Sequence, residues 1–355
     1  MTLPPMAGGL AAAVLAAVAF GTSGALVKPL LEAGWSPGAA VTVRALTAGL
    51  VLLPLAAVAL RGHWRTLWLG RWRILGMGVL GVAATQLAYF AAISTIPVST
   101  ALLIEFLAPL ILVGATWVST RRMPRRTVLM GSALAVAGLV LVIGPGAIQA
   151  VDPVGLAFAF CAAVGCAVYF FVAARPAYGL PPVALAAAGL LLGGAVLALL
   201  GATGVLPFTA TFDDLPLFGA LAPWWLPLLL LAVIGTALAY ASGISAAGML
   251  GSRLASFVGL LEVVFASLFA WLLLGEELSP LQLVGGALIL GGIAAVRAER
   301  VAPPSLVAAP SLSGEPGDAG GAGGAGVADV PRGAGGQYGS PRKDASSPTP
   351  ETVTG

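Results

Sequence analysis

Apolar residues run almost without interruption through ten stretches of this chain, and polar residues collect between them. The stretches cover 8–27, 37–60, 74–93, 98–119, 127–146, 154–173, 183–203, 223–242, 254–274 and 281–297. Each is close to the roughly 20 residues that a helix needs to cross the hydrocarbon core of a bilayer. A transmembrane barrel would show alternating segments of about 10 residues instead. The pattern predicts an all-α integral membrane protein with ten transmembrane helices. Residues Met1 to Met6 carry no Lys or Arg, and no small-residue cleavage site follows. The first stretch is therefore expected to be a retained helix and not a signal peptide.

Composition agrees. Of 355 residues, 59% are hydrophobic and 9% charged, with a mean hydropathy of +1.01. Soluble domains carry about 25% charged residues, so a water-soluble fold is excluded. The placement of the charges says more than their net value of +3. Arg61, Arg65, Arg71 and Arg73 crowd the second connection, and Arg121, Arg122, Arg125 and Arg126 the fourth. Arg175, Arg253, Arg297 and Arg300 mark the sixth, the eighth and the end of the tenth stretch. The intervening connections carry Glu32, Asp152, Asp213, Asp214, Glu276 and Glu277. Basic loops stay in the cytoplasm, so an even number of helices with both termini cytoplasmic is expected. The chain has no Asn, and Lys occurs only at Lys28 and Lys343. That bias fits a GC-rich bacterial genome and hence a bacterial plasma membrane.

Two residue types often tied to chemistry carry little here. Cys161 and Cys166 stand at i, i+5, which does not share a helical face well, and are read as buried, inert thiols. His63, the one histidine, sits among arginines and is expected to be solvated; it cannot build a metal site. No metal, cofactor or nucleic-acid partner is expected. From about Val301 the chain turns to Gly, Ala, Pro and Ser, which cannot bury enough apolar surface to order itself. A disordered cytoplasmic tail is expected over 301–355.

The two halves resemble each other. A shift of 154 residues lays Trp117 on Trp271, Gly131 on Gly285 and Gly138 on Gly292. Each half holds five helices, and an odd number makes the second half enter the membrane the opposite way round. Domains of 1–147 and 148–300 as two inverted five-helix repeats follow. Secondary transporters use this plan, with a site near the midplane between the halves. An old duplication without functional asymmetry would leave the same trace. "GLLLGG" from Gly189 to Gly194 contains a GxxxG spacing, read as packing within the monomer rather than as a dimer face. The oligomer is a monomer or a homodimer.

Three stretches resemble the EamA-type carriers of the drug/metabolite transporter superfamily. They are "SPGAAVTVRALTAGLVLLPL" with Pro37 and Arg44, "YFAAISTIPVSTALLIEFLAPLILV", and "GLLEVVFASLFAWLLLGEELSPLQLVGGALILGGI" with Glu262 and Glu276. Glu105-Phe106 followed by Pro109-Leu110 is most similar to the threonine/homoserine exporter branch. The resemblance implies a ten-helix carrier of small metabolites or amino acids. Val263 follows Glu262 where the family usually has Pro, so the sequence supplies no reason for a ninth-helix kink at that point.

Charges inside the membrane are the candidate chemistry. A charge at mid-bilayer costs about 2.5–3.5 kcal/mol on insertion scales, so Glu105 within "ALLIEFLAPL" needs an offsetting role. With the fourth helix starting near Val98, Glu105 lies about 10 Å below the outer surface at 1.5 Å per residue. Arg44, on a helix that starts near Pro37, lies at nearly the same depth, and Lys28 in the same outer third. Gln86 and Tyr89 of the third helix lie near that level, and Glu262 is the rough counterpart from the second half. Arg suits a solute carboxylate through its planar fork, and Glu suits an ammonium or a coupling proton. Pro109 removes one backbone hydrogen bond and makes a candidate hinge. Two other uses fit the same charges. Arg44 and Glu105 could form an ion pair that staples two helices, and Lys28 could snorkel to the interface.

The function expected is a secondary transporter, exporting amino acids or related small metabolites by alternating access. Its partners are the solute, membrane lipid and a possible coupling proton. The alternative is a membrane-embedded enzyme acting on lipid or a lipid-linked substrate, which needs a catalytic cluster that the scattered interfacial acids do not make. There is no GxxxxGK[ST] pattern for ATP-driven transport and no repeated filter segment for a channel.

Overall fold

The computed structural model describes residues 5–144, 152–176, 179–275, 277 and 279–301. Ten helices in it are long and apolar enough to span a membrane. They are α1 (Met6–Glu32), α2 (Pro37–Ala59), α3 (Arg71–Ile93), α4 (Thr100–Thr120), α5 (Arg126–Ile143), α6 (Pro153–Ala173), α7 (Pro182–Ala202), α8 (Trp225–Leu250), α9 (Ser252–Leu274) and α10 (Pro280–Ala298). Leu50, Leu55, Val118, Leu199 and Leu283 are all more than half exposed, as expected of side chains that face lipid. The tail, the repeat boundary near 147 and Glu276 lie outside the described residues.

Two helices are longer than their apolar stretches. α1 runs past Lys28 and Pro29 to Glu32, so Lys28 is inside the helix and not at its end. α8 continues beyond Ser242 to Leu250 because Ser242 bonds its hydroxyl to the Leu238 carbonyl at 2.6 Å and needs no water.

The packing follows one symmetry. α5 packs on α10 and α2 on α7; α1 packs on α8 and α9, as α6 packs on α3 and α4. Exchanging each helix with the one five places along maps this set onto itself. The glycines give the detail. A Cβ on Gly131 would meet the Gly292 carbonyl, and one on Gly138 the Gly285 carbonyl. Since Gly131 corresponds to Gly285 and Gly138 to Gly292, the two contacts are one contact seen twice. Likewise Gly49 meets Leu191 and Gly194 meets Leu46, and α2 and α7 each open on a proline, Pro37 and Pro182. The pseudo-twofold axis passes between both pairs. Gly189 and Gly193 pack on α3 within the same chain, against Met77 and Val82.

Local irregularities repeat with the 154-residue shift as well. α3 contains a π-helical segment, Gly76–Ala84, and α8 another, Val233–Leu238, ending at equivalent residues. Thr85 and Thr236, offset by 151 residues and so not in that register, each bond back to a carbonyl five residues earlier, the spacing of a π turn. α4 breaks after Glu105, between segments Val98–Glu105 and Ala108–Thr120. α9 breaks at Leu260, between Ser252–Gly259 and Leu261–Leu274, and Leu260 corresponds to Phe106. α4 and α9 then end on equivalent left-handed residues, Arg121 at φ 55 and Gly275 at φ 72.

The arginine-rich connections gather on one face, which also carries the tight turn at Gly251 between α8 and α9. Arg73 holds the end of α6 there, donating to the Val172 carbonyl at 3.1 Å. The opposite face carries the acidic connections and a feature the hydrophobic pattern did not reveal. Between α7 and α8 the chain forms a two-stranded antiparallel hairpin, β1 (Leu215–Leu217) and β2 (Ala220–Ala222). Its leading arm lies on the α1–α2 turn. Trp35 donates its indole N–H to the Thr211 carbonyl at 2.8 Å, Thr211 donates to the Ala33 carbonyl at 2.7 Å, and Ser36 donates to the Pro207 carbonyl at 2.9 Å. Trp35 stacks on Trp224 at 5.9 Å between centroids, and Phe212 closes edge-on against both.

Candidate functional site

Arg44 lies two turns into α2, a helix opened by Ser36, which accepts from the Ala39 N–H at 3.2 Å, and by Pro37 at its first position. Glu105 is the last residue of the first segment of α4. Pro109, at the start of the second segment, has no N–H to give the carbonyl four residues earlier, which is that of Glu105 itself. Glu262 is the second residue of the second segment of α9, where the free backbone N–H groups of a first turn favour a negative charge. The α9 break therefore forms without a proline. Gly259 stands at it, and Leu260 turns the chain with φ −60 and ψ −19.

These three charges, from α2, α4 and α9, lie within electrostatic reach of one another. Each is half-buried in the bundle. Among the described residues, none of the three makes a hydrogen bond or an ion pair within 4.0 Å. No direct Arg44–Glu105 salt bridge staples α2 to α4. Their bonding capacity remains available inside the membrane.

Aromatic side chains surround the group. Tyr89, half-buried on α3, is within reach of the Glu105 charge. Tyr240 of α8 lies within electrostatic reach of Arg44, Glu262 and Glu105. It packs edge-on against Phe20 of α1 at 5.3 Å and against Tyr169 of α6 at 5.4 Å between centroids. The Tyr169 hydroxyl is buried without a hydrogen-bond partner, and a Cβ on Gly243 would stand 2.6 Å from it. Sequence reasoning passed over Tyr169 and Tyr240. The available signal was that three of the chain's five tyrosines, Tyr89, Tyr169 and Tyr240, fall inside spanning stretches.

The other expected site residues fall differently. Lys28 is exposed on α1. Gln86 is half-buried on α3, three residues before Tyr89. A small cavity lies beside both helix breaks, lined by Phe106 and Pro109 of α4, Phe257 and Leu260 of α9, and Ser132 of α5, whose hydroxyl is buried without a partner. Of the two thiols, Cys161 is exposed and not buried as expected; it lines an apolar groove with Pro153 and Phe158, since residues five apart on a helix point to different sides. Cys166 is half-buried, within reach of Glu105 and Glu262.

Comparison with known proteins agrees with this architecture. A family model described as the EamA-like transporter family matches residues 7–144 and 153–298, once over each half. One crystal structure of a protein aligns over 83% of this chain and 99% of its own, with 20% identity and a TM-score of 0.63, which shows a shared fold. No curated protein matches the sequence.

Proposed function

The chain belongs to the EamA-like transporter family, within the drug/metabolite transporter superfamily, and from that premise we propose that it is a secondary carrier exporting amino acids or related small metabolites by alternating access. Members of this family are transporters and not enzymes, which sets aside the lipid-modifying alternative. A small-molecule solute and a lipid surround follow from membership; the amino-acid class, the direction and the site are our proposal.

The observation that carries it is the meeting of Arg44, Glu105 and Glu262, from both halves of the chain, without a direct ion pair among them. Charges held in the membrane without pairing are expensive, and a solute with opposite charges offsets that cost. Arg44 takes the solute carboxylate with its planar fork. A glutamate takes the ammonium group, and a coupling proton rides on whichever carboxylate the solute leaves unpaired. Tyr89, Tyr169 and Tyr240 form the wall of the site, and Gln86 supplies an amide beside Tyr89. Lys28 acts at the mouth of the path, where its exposure allows it to meet a carboxylate. Pro109 serves as the hinge of α4, and the break at Leu260 serves as its counterpart in α9. The two five-helix halves, 1–147 and 148–300, rock about the axis between α5 and α10. The arginine-rich face lies in the cytoplasm of a bacterial cell, with both termini on that side.

Counterflow into proteoliposomes tests this. The purified protein should exchange a labelled amino acid saturably, and Arg44→Gln or Glu105→Gln should reduce exchange to background with normal insertion. Absence of saturable exchange across the proteinogenic amino acids and their simple derivatives would sink the proposal.

A further inference from the structure

The charge inventory of the site points to a narrower class of solute, and this step rests on the amino-acid reading above. Among the described residues, the charged side chains that are not exposed are Arg44, Arg71, Arg73, Glu105, Arg253 and Glu262. Arg71, Arg73 and Arg253 stand at the first turns of α3 and α9, on the arginine-rich face. Away from that face, the half-buried charges among the described residues are therefore one guanidinium and two carboxylates.

A neutral zwitterion brings one carboxylate and one ammonium. It would match Arg44 and one glutamate and leave the second carboxylate without a partner. The two carboxylates come from different halves, one at the end of a half-helix and one at the start of another, and no hydrogen bond joins them. They present two separate acceptors. Glu262 also has ring neighbours: Tyr169 and Tyr240 both lie within its reach and stand edge to face at 77°. Aromatic faces attract cations, most strongly where water is excluded. The Tyr169 hydroxyl, buried without a hydrogen-bond partner, adds a polar group within electrostatic reach of that carboxylate.

We infer that the preferred solute is a basic amino acid. Arg44 receives its carboxylate, and Glu105 and Glu262 receive its two cationic groups, the side-chain cation lying at Glu262 against Tyr169 and Tyr240. The loaded site is then electrically balanced, with three charges of the protein facing three of the solute. A proton on the second carboxylate would balance a neutral amino acid equally well, so the two solutions separate by experiment.

The test uses isosteres that differ in one charge. Full-length protein in proteoliposomes is assayed for counterflow with lysine against norleucine and arginine against citrulline. Loss of one charge-assisted hydrogen bond costs about 10- to 100-fold in affinity, so each basic member should compete about 10- to 100-fold better than its neutral isostere. Glu262→Gln should reduce that preference to within a few-fold. Equal competition by the neutral isosteres in wild type, or proton uptake of one per norleucine moved, overturns the basic-solute inference and leaves an amino-acid carrier standing. Failure of every amino acid, basic or neutral, overturns both. The wild-type comparison decides the matter even if Glu262→Gln fails to insert.

Discussion

Gly138 of α5 lies against Gly285 of α10 so closely that a Cβ on either would stand 2.5–2.6 Å from the other's carbonyl oxygen. No side chain fits there, and the equivalent contact of Gly131 with Gly292 is nearly as tight, at 2.6–2.8 Å. Close backbone approach at small residues is how helices associate where lipid gives no hydrophobic drive. The pseudo-twofold axis runs through this seam, so the seam holds the two halves together.

Enlarging the seam should therefore cost stability before it touches solute binding. Gly138→Val is expected to lose about 1–3 kcal/mol through overpacking, with more if the helices separate. A melting curve in detergent, read beside counterflow KM, checks this: the midpoint should fall while KM in the surviving protein stays unchanged.

The charged group makes the opposite prediction. Arg44→Gln and Glu105→Gln should each remove exchange activity and leave the melting midpoint near the wild-type value, because no ion pair between them is broken. The double substitution Arg44→Leu with Glu105→Leu should be at least as stable as wild type, since apolar replacements end the desolvation cost of both charges, and should remain inactive. Full transport by that double variant would reduce both charges to a structural part.

Pro109 can be separated from Glu105. Pro109→Ala restores an N–H that can close onto the Glu105 carbonyl and straighten α4. Turnover should drop several-fold with affinity for the solute retained, measured as a kcat loss at constant KM. Unchanged turnover would show that the bend is held by tertiary packing, as it is in α9 without a proline.

Arg121 closes α4 in a left-handed conformation at φ 55, where α9 uses Gly275. A side chain pays roughly 1–2 kcal/mol there. Arg121→Gly should raise the melting midpoint by an amount corresponding to about 1 kcal/mol, and Gly275→Ala should lower it similarly.

On the acidic face, Trp35 is 5% exposed and anchors the arm that leads to the hairpin. Trp35→Ala should cost about 3–5 kcal/mol, the range for truncating a buried large aromatic. Limited proteolysis should then cut within 207–224 at lower protease than in wild type.

Much of this architecture is written in the linear pattern. Ten apolar stretches of membrane length, an alternation of basic and acidic connections, and glycines recurring at 154 residues are local facts, and a bilayer leaves few ways to satisfy them. They determine ten helices in two inverted repeats, and they single out Arg44, Glu105 and Glu262 as charges that need a reason. What they cannot express is which residues meet. The partnership of Gly138 with Gly285, the electrostatic reach between Glu262 and both Tyr169 and Tyr240, and the absence of an Arg44–Glu105 pair depend on helix rotation and tilt, set by contacts far apart in sequence. The break in α9 belongs to the same class, since no proline announces it. The hairpin over Trp35 escaped because its polar and apolar residues follow neither helical nor transmembrane spacing. Hydrogen bonds to a distant turn hold it in place, and only the folded chain brings that turn within reach.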